Sequence, residues 1–305
     1  RLIKIGLTYC LLILKTQEAK MDKRVFIYGC SFARWKWPTW SDIVQHSLHN
    51  YQPIINAQPG IGNTAIFCNM LKDDLYCNFN DDDIILVGWS GWAREDRMRD
   101  NGIWDMRGNL LSGDTYTKDY AKEYWSMTND TMRNTTAIIS ANKMFNISHQ
   151  HHIFDYEDVV ENNCGWQQKL YGIMGIKTLE SEYDFSKHWE NMPEKELFPS
   201  YAPGEAFDGL SSDYHPDIMS HLEHATSVLE KIGLPIRRET VDFYTSEQER
   251  VINYLTTCEP RIAKEVKDGN WNTFKEVFRE LFPECSLRVA ECHTTTLNAK
   301  KKKDK

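Results

Sequence analysis

The chain is short of positive charge, of paired cysteines and of long apolar runs, and each shortage removes a class of function. Thirty-six Lys and Arg face 44 Asp and Glu, a formal net charge of −8. No surplus of cations exists to neutralise a phosphate backbone, so nucleic acid is not expected as a main partner. The eight cysteines, at 10, 30, 68, 77, 164, 258, 285 and 292, form no Cys-x-x-Cys pair and no repeated spacing. A zinc module or a secreted disulfide framework would show such a pattern, so mostly reduced thiols are expected. The nearest approaches to a metal-ligand set are Cys285, Cys292 and His293, and the group His149, His151 and His152. Each lacks a second spaced pair, which favours buried thiols and surface imidazoles over a metal centre.

The apolar stretch Ile5 to Leu14 is too short to span a bilayer, and no membrane association is expected. With Arg1 and Lys4 ahead of it, it superficially resembles a signal peptide. However, it runs into Lys15 to Lys20 without a small-x-small cleavage site, and Met21 opens a segment that leads directly into a strand. Residues 1–20 are therefore expected to lie upstream of the natural start, with a targeting segment as the other reading. The sequons at Asn129, Asn134 and Asn146 matter only if the chain is exported.

What is present is ordinary globular material, with enough apolar residues for one large or two modest domains. Val25 to Tyr28, ending at Gly29, and Ile84 to Val87, ending at Gly88, are short apolar runs of the kind found in buried parallel strands. Pro53 to Asn56 offers another strand. Thr64 to Leu75 reads as a helix with Ile66, Phe67, Met70, Leu71 and Leu75 on one side. The acidic stretch Asp81-Asp82-Asp83 reads as a solvated loop. Tyr120 to Phe145 allows a long helix, and the Asn and Thr residues at 128–136 leave a break as the alternative. His152 to Tyr156 is the next candidate strand. A further helix follows Pro216, carrying Ile218, Leu222, Ala225, Leu229 and Ile232 until Gly233-Leu234-Pro235 stops it. This alternation is an α/β signature.

Beyond Arg238 the pattern is helical only. Ser246 and Glu249 form a capping-box pattern before Val251, Ile252 and Leu255. Trp271, Phe274, Val277, Phe278 and Leu281 make a second stripe closed by Pro283. Such stripes pack onto the main domain or onto a protein partner, and the former is expected because isolated helices of this length are marginal. The division expected is thus an upstream segment (1–20), an α/β domain (21–238), a helical extension (239–285) and a basic, disordered tail (286–305).

The chemistry-bearing positions cluster after strands. Ser31, in Tyr28-Gly29-Cys30-Ser31-Phe32, falls at the carboxyl end of the first strand, where open α/β sheets place ligands and where helix amides are at hand. Taken alone it is also a plausible helix cap. A serine nucleophile needs a base oriented by an acid, and Ser212-Asp213-Tyr214-His215-Pro216 supplies both types in Asp213 and His215. Asn56-Ala57-Gln58-Pro59-Gly60-Ile61-Gly62-Asn63 follows the second strand and can present an amide to an oxyanion. Gly88-Trp89-Ser90-Gly91-Trp92-Ala93-Arg94 follows the third and can add the Ser90 hydroxyl or the Arg94 guanidinium. Around Ser31 lie Arg34, Trp35, Lys36, Trp37 and Trp40. Trp40 and Trp89 are expected in the core, and Trp35 and Trp37 are expected at the surface, where they would stack on sugar or acyl groups while Arg34 meets an anion.

In this order, the four strand-end and loop segments resemble the SGNH, or GDSL-type, hydrolase family, over about residues 22–235. The likeness is greatest to forms found in bacteriophage and virus proteins, through Gly-Cys-Ser-Phe, Pro-Gly-x-x-Asn and Gly-Trp-Ser. The resemblance implies a flavodoxin-like three-layer α/β/α fold with a mainly parallel sheet, with the C-terminal helices as an extension outside it. It assigns the nucleophile to Ser31, the base to His215, and the oxyanion-hole glycine to Gly60, with Gly62 as the other candidate. It implies a serine-type esterase acting on a carbohydrate or small ester, without metal or cofactor, in a cytoplasmic or virion-associated setting rather than a secreted one. Three departures stand out. Cys30 replaces the motif's Asp, leaving Cys30 itself as a reactive alternative. Ser90 replaces the oxyanion-hole Asn. Asp213 precedes His215 by two residues instead of three, so Asp208 or a backbone carbonyl is an alternative orienting group. The Ser90 and Asp213 departures favour a competing expectation, a non-catalytic scaffold of virion-associated type, while retention of Ser31 and His215 disfavours it. A glycan-binding protein using the Trp cluster is a third.

Overall fold

The computed structural model describes residues 23–91, 94–98, 100, 104–109, 123, 127–152, 218–257, 279–285 and 288. Residues 1–20, the expected strand residues 153–156, the stripe Trp271 to Phe278 and nearly all of 286–305 lie outside the described residues.

The core is a four-stranded parallel sheet with helices, an α/β arrangement. Its strands are β1 (Arg24–Gly29), β2 (Gln52–Ala57), β3 (Ile84–Trp89) and β6 (His149–His152), in the order β2-β1-β3-β6. β1 pairs with β2 through Tyr28↔Asn56 and with β3 through Tyr28↔Val87, while β3 pairs with β6 through Gly88↔His151. All four strands run the same way, so their carboxyl ends meet along one rim.

Side-chain alternation along β1 divides the core. Val25 and Ile27 join one apolar cluster, which includes Trp37, Trp40, Ile43 and Val44 with Leu222, Val228, Tyr244 and Val251. Phe26 and Tyr28 join another, with Ile66, Met70, Ile138 and Ala141. The helices are α1 (Trp40–Ser47), α2 (Asn63–Cys77), α3 (Met127–Met144), α4 (Ile218–Lys231) and α5 (Arg238–Thr257). Trp40 and Trp89 are both wholly buried, as their sequence contexts suggest.

Several expectations require correction. Leu75 is 84% exposed, because α2 turns that residue away from Ile66 and Met70. Asp83 is buried, not solvated: its carboxylate accepts from Arg24 Nε at 2.7 Å, tying the start of β1 to the loop before β3. α3 runs unbroken through 128–136, since Asn134 finds partners in Asp130 O and Asn63 instead of competing with the helix backbone. The strand expected at 152 begins at His149. Ser246 lies inside α5, which starts at Arg238, and its hydroxyl donates back to Phe243 O at 2.7 Å instead of capping. Finally, a hairpin of β4 (Arg94–Met98) and β5 (Trp104–Asn109), which the sequence reading did not include, follows β3. β4 carries no sign of a strand, because Arg-Glu-Asp-Arg has no apolar alternation.

α5 packs on α4 and α1. Tyr244 and Val251, together with Phe282 and Cys285 from the last described segment, complete the cluster around Ile43. Among the described residues no helix is long and apolar enough to cross a membrane, and Cys30, Cys68, Cys77 and Cys285 are free thiols.

Candidate functional site

The carboxyl ends of β1, β2 and β3 lead into three turns that carry the expected site residues. After β1 the chain folds over itself, with Ala33 N and Arg34 N both donating to Cys30 O. Ser31 in this turn is 2% exposed, and its hydroxyl approaches only the Cys30 sulfur, at 3.8 Å. Cys30 is wholly buried. The Ser31 amide makes no hydrogen bond to another described residue. Arg34 sends one guanidinium nitrogen to Ala57 O at 3.3 Å, linking the turn after β1 to the end of β2.

After β2, Gly60 adopts φ +81°, a left-handed conformation that glycine accepts without strain. Its amide donates to no described group. Gly62 behaves differently. It is the N-cap of α2, and its amide donates to Asp96 Oδ1 at 2.7 Å, while Ala65 N donates to Asp96 Oδ2 at 3.1 Å. A carboxylate from β4 therefore already occupies the start of α2, where backbone donors and the helix dipole favour an anion. The Gly62 amide is thus engaged within the fold, unlike that of Gly60. Burial raises the Asp96 carboxyl above its ordinary range, opposed by the two amides and by Arg133 and Arg94.

After β3, Ser90 is buried, and its backbone is clasped by one side chain. Asn63 Oδ1 accepts from Ser90 N at 2.7 Å, and Asn63 Nδ2 donates to Ser90 O at 2.9 Å and to Asn134 Oδ1 at 2.8 Å. The backbone is fixed, yet the Ser90 hydroxyl, fully enclosed, has no partner among the described residues. An enclosed hydroxyl without a partner is uncommon and calls for an explanation. Arg94 reaches Ile61 O at 3.5 Å, a weak contact that holds its guanidinium beside the Gly60 turn.

The aromatic residues divide. Trp37, expected at the surface, is 4% exposed, because it inserts into the cluster with Trp40 and Ile43 just before α1. Trp35 stays half-buried, edge-on to Trp37 at 6.2 Å, with Lys36 Nζ 4.9 Å above its ring. His215, Asp213, Asp208 and Trp92 lie outside the described residues.

Sequence reasoning missed a second polar group at the same end of the sheet. His151, expected at the surface, is buried on β6, and its Nε2 lies 3.0 Å from Nε2 of His224 on α4. Both rings meet Trp40 edge-on, at 5.2 and 5.6 Å. Burial, with smaller contributions from His149 and Lys231, lowers His224 to about 3, so the imidazole is neutral. Among the described residues no group of three or more His, Cys, Asp or Glu is arranged to hold a metal ion. Asn63 was within reach of sequence reasoning, since it follows the glycine turn directly. Asp96 was not, because its role depends wholly on where the hairpin folds.

Comparison of the chain with protein-family models, with curated proteins and with solved structures gave no match.

Proposed function

We propose that this protein is a serine-type acyl hydrolase of SGNH-like design, removing an acyl group such as O-acetyl from a carbohydrate or small ester. The observation that carries this reading is that the turns after three adjacent parallel strands hold the Ser31 hydroxyl together with the Ser31 and Gly60 amides and the Ser90 hydroxyl, none of which has a partner among the described residues for its donor. In the reaction, Ser31 Oγ attacks the ester carbonyl while His215, oriented by Asp213, takes its proton. The oxyanion accepts from the Ser31 and Gly60 amides and from Ser90, whose hydroxyl replaces an amide donor. The intermediate collapses as His215 returns the proton to the leaving alkoxide, and water then attacks the acyl-serine by the same route. The proposal includes a three-layer, flavodoxin-like domain with the C-terminal helices as an extension.

The test is hydrolysis of short p-nitrophenyl esters and O-acetylated glycans, together with labelling by a fluorophosphonate. The expected result is turnover and labelling that Ser31→Ala and His215→Ala each reduce to background, a loss of about 10³ or more in kcat. Unchanged turnover in Ser31→Ala overturns the reading. One observation favours a second reading, a non-catalytic scaffold: Ser31 is 2% exposed and its hydroxyl contacts only a thiol. Absence of fluorophosphonate labelling in folded protein would select it.

A further inference from the structure

A cavity of about 650 Å³ opens between α1, α5 and the segment around Phe282 to Arg288, and neither Ser31, Gly60 nor Ser90 lines it. That volume suits a small organic ligand. Tyr51, Phe243, Tyr244 and Phe282 supply aromatic wall. Phe243 is 46% exposed and stacked on His46, with ring centroids 5.2 Å apart. An aromatic side chain left this open at the mouth of a cavity offers a face to a flat partner.

The charges in the cavity are unequal. Arg288 is committed to Asp42, and Glu247 to Arg250. Arg237 uses one nitrogen on the backbone oxygen of His46 and meets no carboxylate among the described residues. Its Nε is enclosed and has no hydrogen-bond partner among the described residues, so the outer guanidinium nitrogens are the ones a ligand can meet. A guanidinium that lines a cavity and faces no carboxylate is a ready partner for an anion. Burial, and behind it the Arg237 charge, lowers His46 below its ordinary value, so the guanidinium acts on this wall of the cavity. Glu284 lines the same cavity, and with Glu247 it sets an upper limit on the negative charge the site accepts. Arg237 answers one ionised oxygen pair, whereas the second charge of a phosphate dianion would meet no further uncommitted cation among the described lining residues and would add to the repulsion from Glu284.

We infer that this cavity binds a small monoanionic carboxylate carried on an aromatic or flat apolar body, with Arg237 as the cation and Phe243 and Tyr244 against the apolar part. The inference is independent of the hydrolase reading.

Calorimetric titration of the full chain with 3-phenylpropionate, 3-phenylpropanamide and phenyl phosphate tests it. The carboxylate is expected to bind, and the neutral amide to bind roughly tenfold more weakly or worse, since it lacks the charge that Arg237 answers. Arg237→Gln is expected to weaken the carboxylate about tenfold. Phe243→Ala, at an exposed position that tolerates change, is expected to weaken it several-fold with an unaltered thermal melt. Ser31→Ala should bind as the parent does. The inference is overturned by no binding at millimolar carboxylate, by equal binding of the amide, by tighter binding of phenyl phosphate, by indifference to both Arg237→Gln and Phe243→Ala, or by loss of binding in Ser31→Ala.

Discussion

Two polar groups sit at the same end of the sheet and have opposite characters. At the turns after β1 to β3, the enclosed Ser90 hydroxyl and the amides of Ser31 and Gly60 have no partners among the described residues. At β6, polar side chains are buried in mutual contact. His151 meets His224 at 3.0 Å, and Gln150 accepts from Trp89 Nε1 at 2.9 Å while donating to Asn142 Oδ1 at 2.7 Å. Buried polar groups that answer one another contribute to stability, whereas donors held idle weaken the fold and make sense only when something else arrives to accept from them. The first group is therefore read as a site and the second as structure.

Mutation of neighbouring residues breaks or sustains this contrast most directly. Ser90→Ala removes an idle hydroxyl, so folding stability should hold within about 0.5 kcal/mol. The same change deletes a proposed oxyanion donor, and kcat on p-nitrophenyl esters should fall by about 10²–10³ with KM little changed. Asn63→Ala should do the reverse first: it strips Ser90 N, Ser90 O and Asn134 of their partner, and urea unfolding should show a loss of about 2–3 kcal/mol. If Ser90→Ala unfolds the protein and Asn63→Ala does not, the assignment of roles is reversed and the contrast fails.

How far the sequence carried the reading depends on which physical signal each part uses. β1 and β3 were legible because Val25 to Tyr28 and Ile84 to Val87 are continuous apolar runs, which both faces of a parallel strand require. β6 was not legible, since His-Gln-His-His has no apolar pattern and is held by partners far along the chain. The same reason hid β4, where Asp96 acts only through the start of α2. The placement of Ser31, Gly60 and Ser90 in turns after adjacent strands was legible because strand-end position is a local property. The loss of Gly62 as a donor was not foreseeable, because the competitor for its amide is a tertiary contact. Trp37 shows the converse: charged neighbours in sequence suggested exposure, yet the ring turned inward to the core beside Trp40.

Acid offers a smaller perturbation, directed at the histidine group. His224 titrates near 3 in the folded protein and near 6.5 when unfolded. Between those values only the unfolded chain takes up the proton, so stability is complete above pH 6.5 and declines as pH falls toward 3. One such group implies a loss on the order of 2 kcal/mol by pH 5. Urea midpoints measured from pH 7.5 to 5 should fall accordingly, and His224→Gln should flatten that slope. A slope unchanged in His224→Gln would show that the imidazole is not held neutral by its surroundings.

The smallest expected effect, at Leu75, tests the background for the others. It is the one residue of the expected α2 stripe that faces solvent, at 84% exposure, while Ile66 and Met70 on the same helix are wholly buried. Truncation removes almost no buried apolar area, so Leu75→Ala should change unfolding free energy by less than about 0.5 kcal/mol. Met70→Ala, by contrast, empties part of a packed cluster and should cost about 2–5 kcal/mol. Equal losses at the two positions would mean that α2 is rotated relative to the sheet. Because Asn63 begins that helix, the clasp on Ser90 would then have to be redrawn as well.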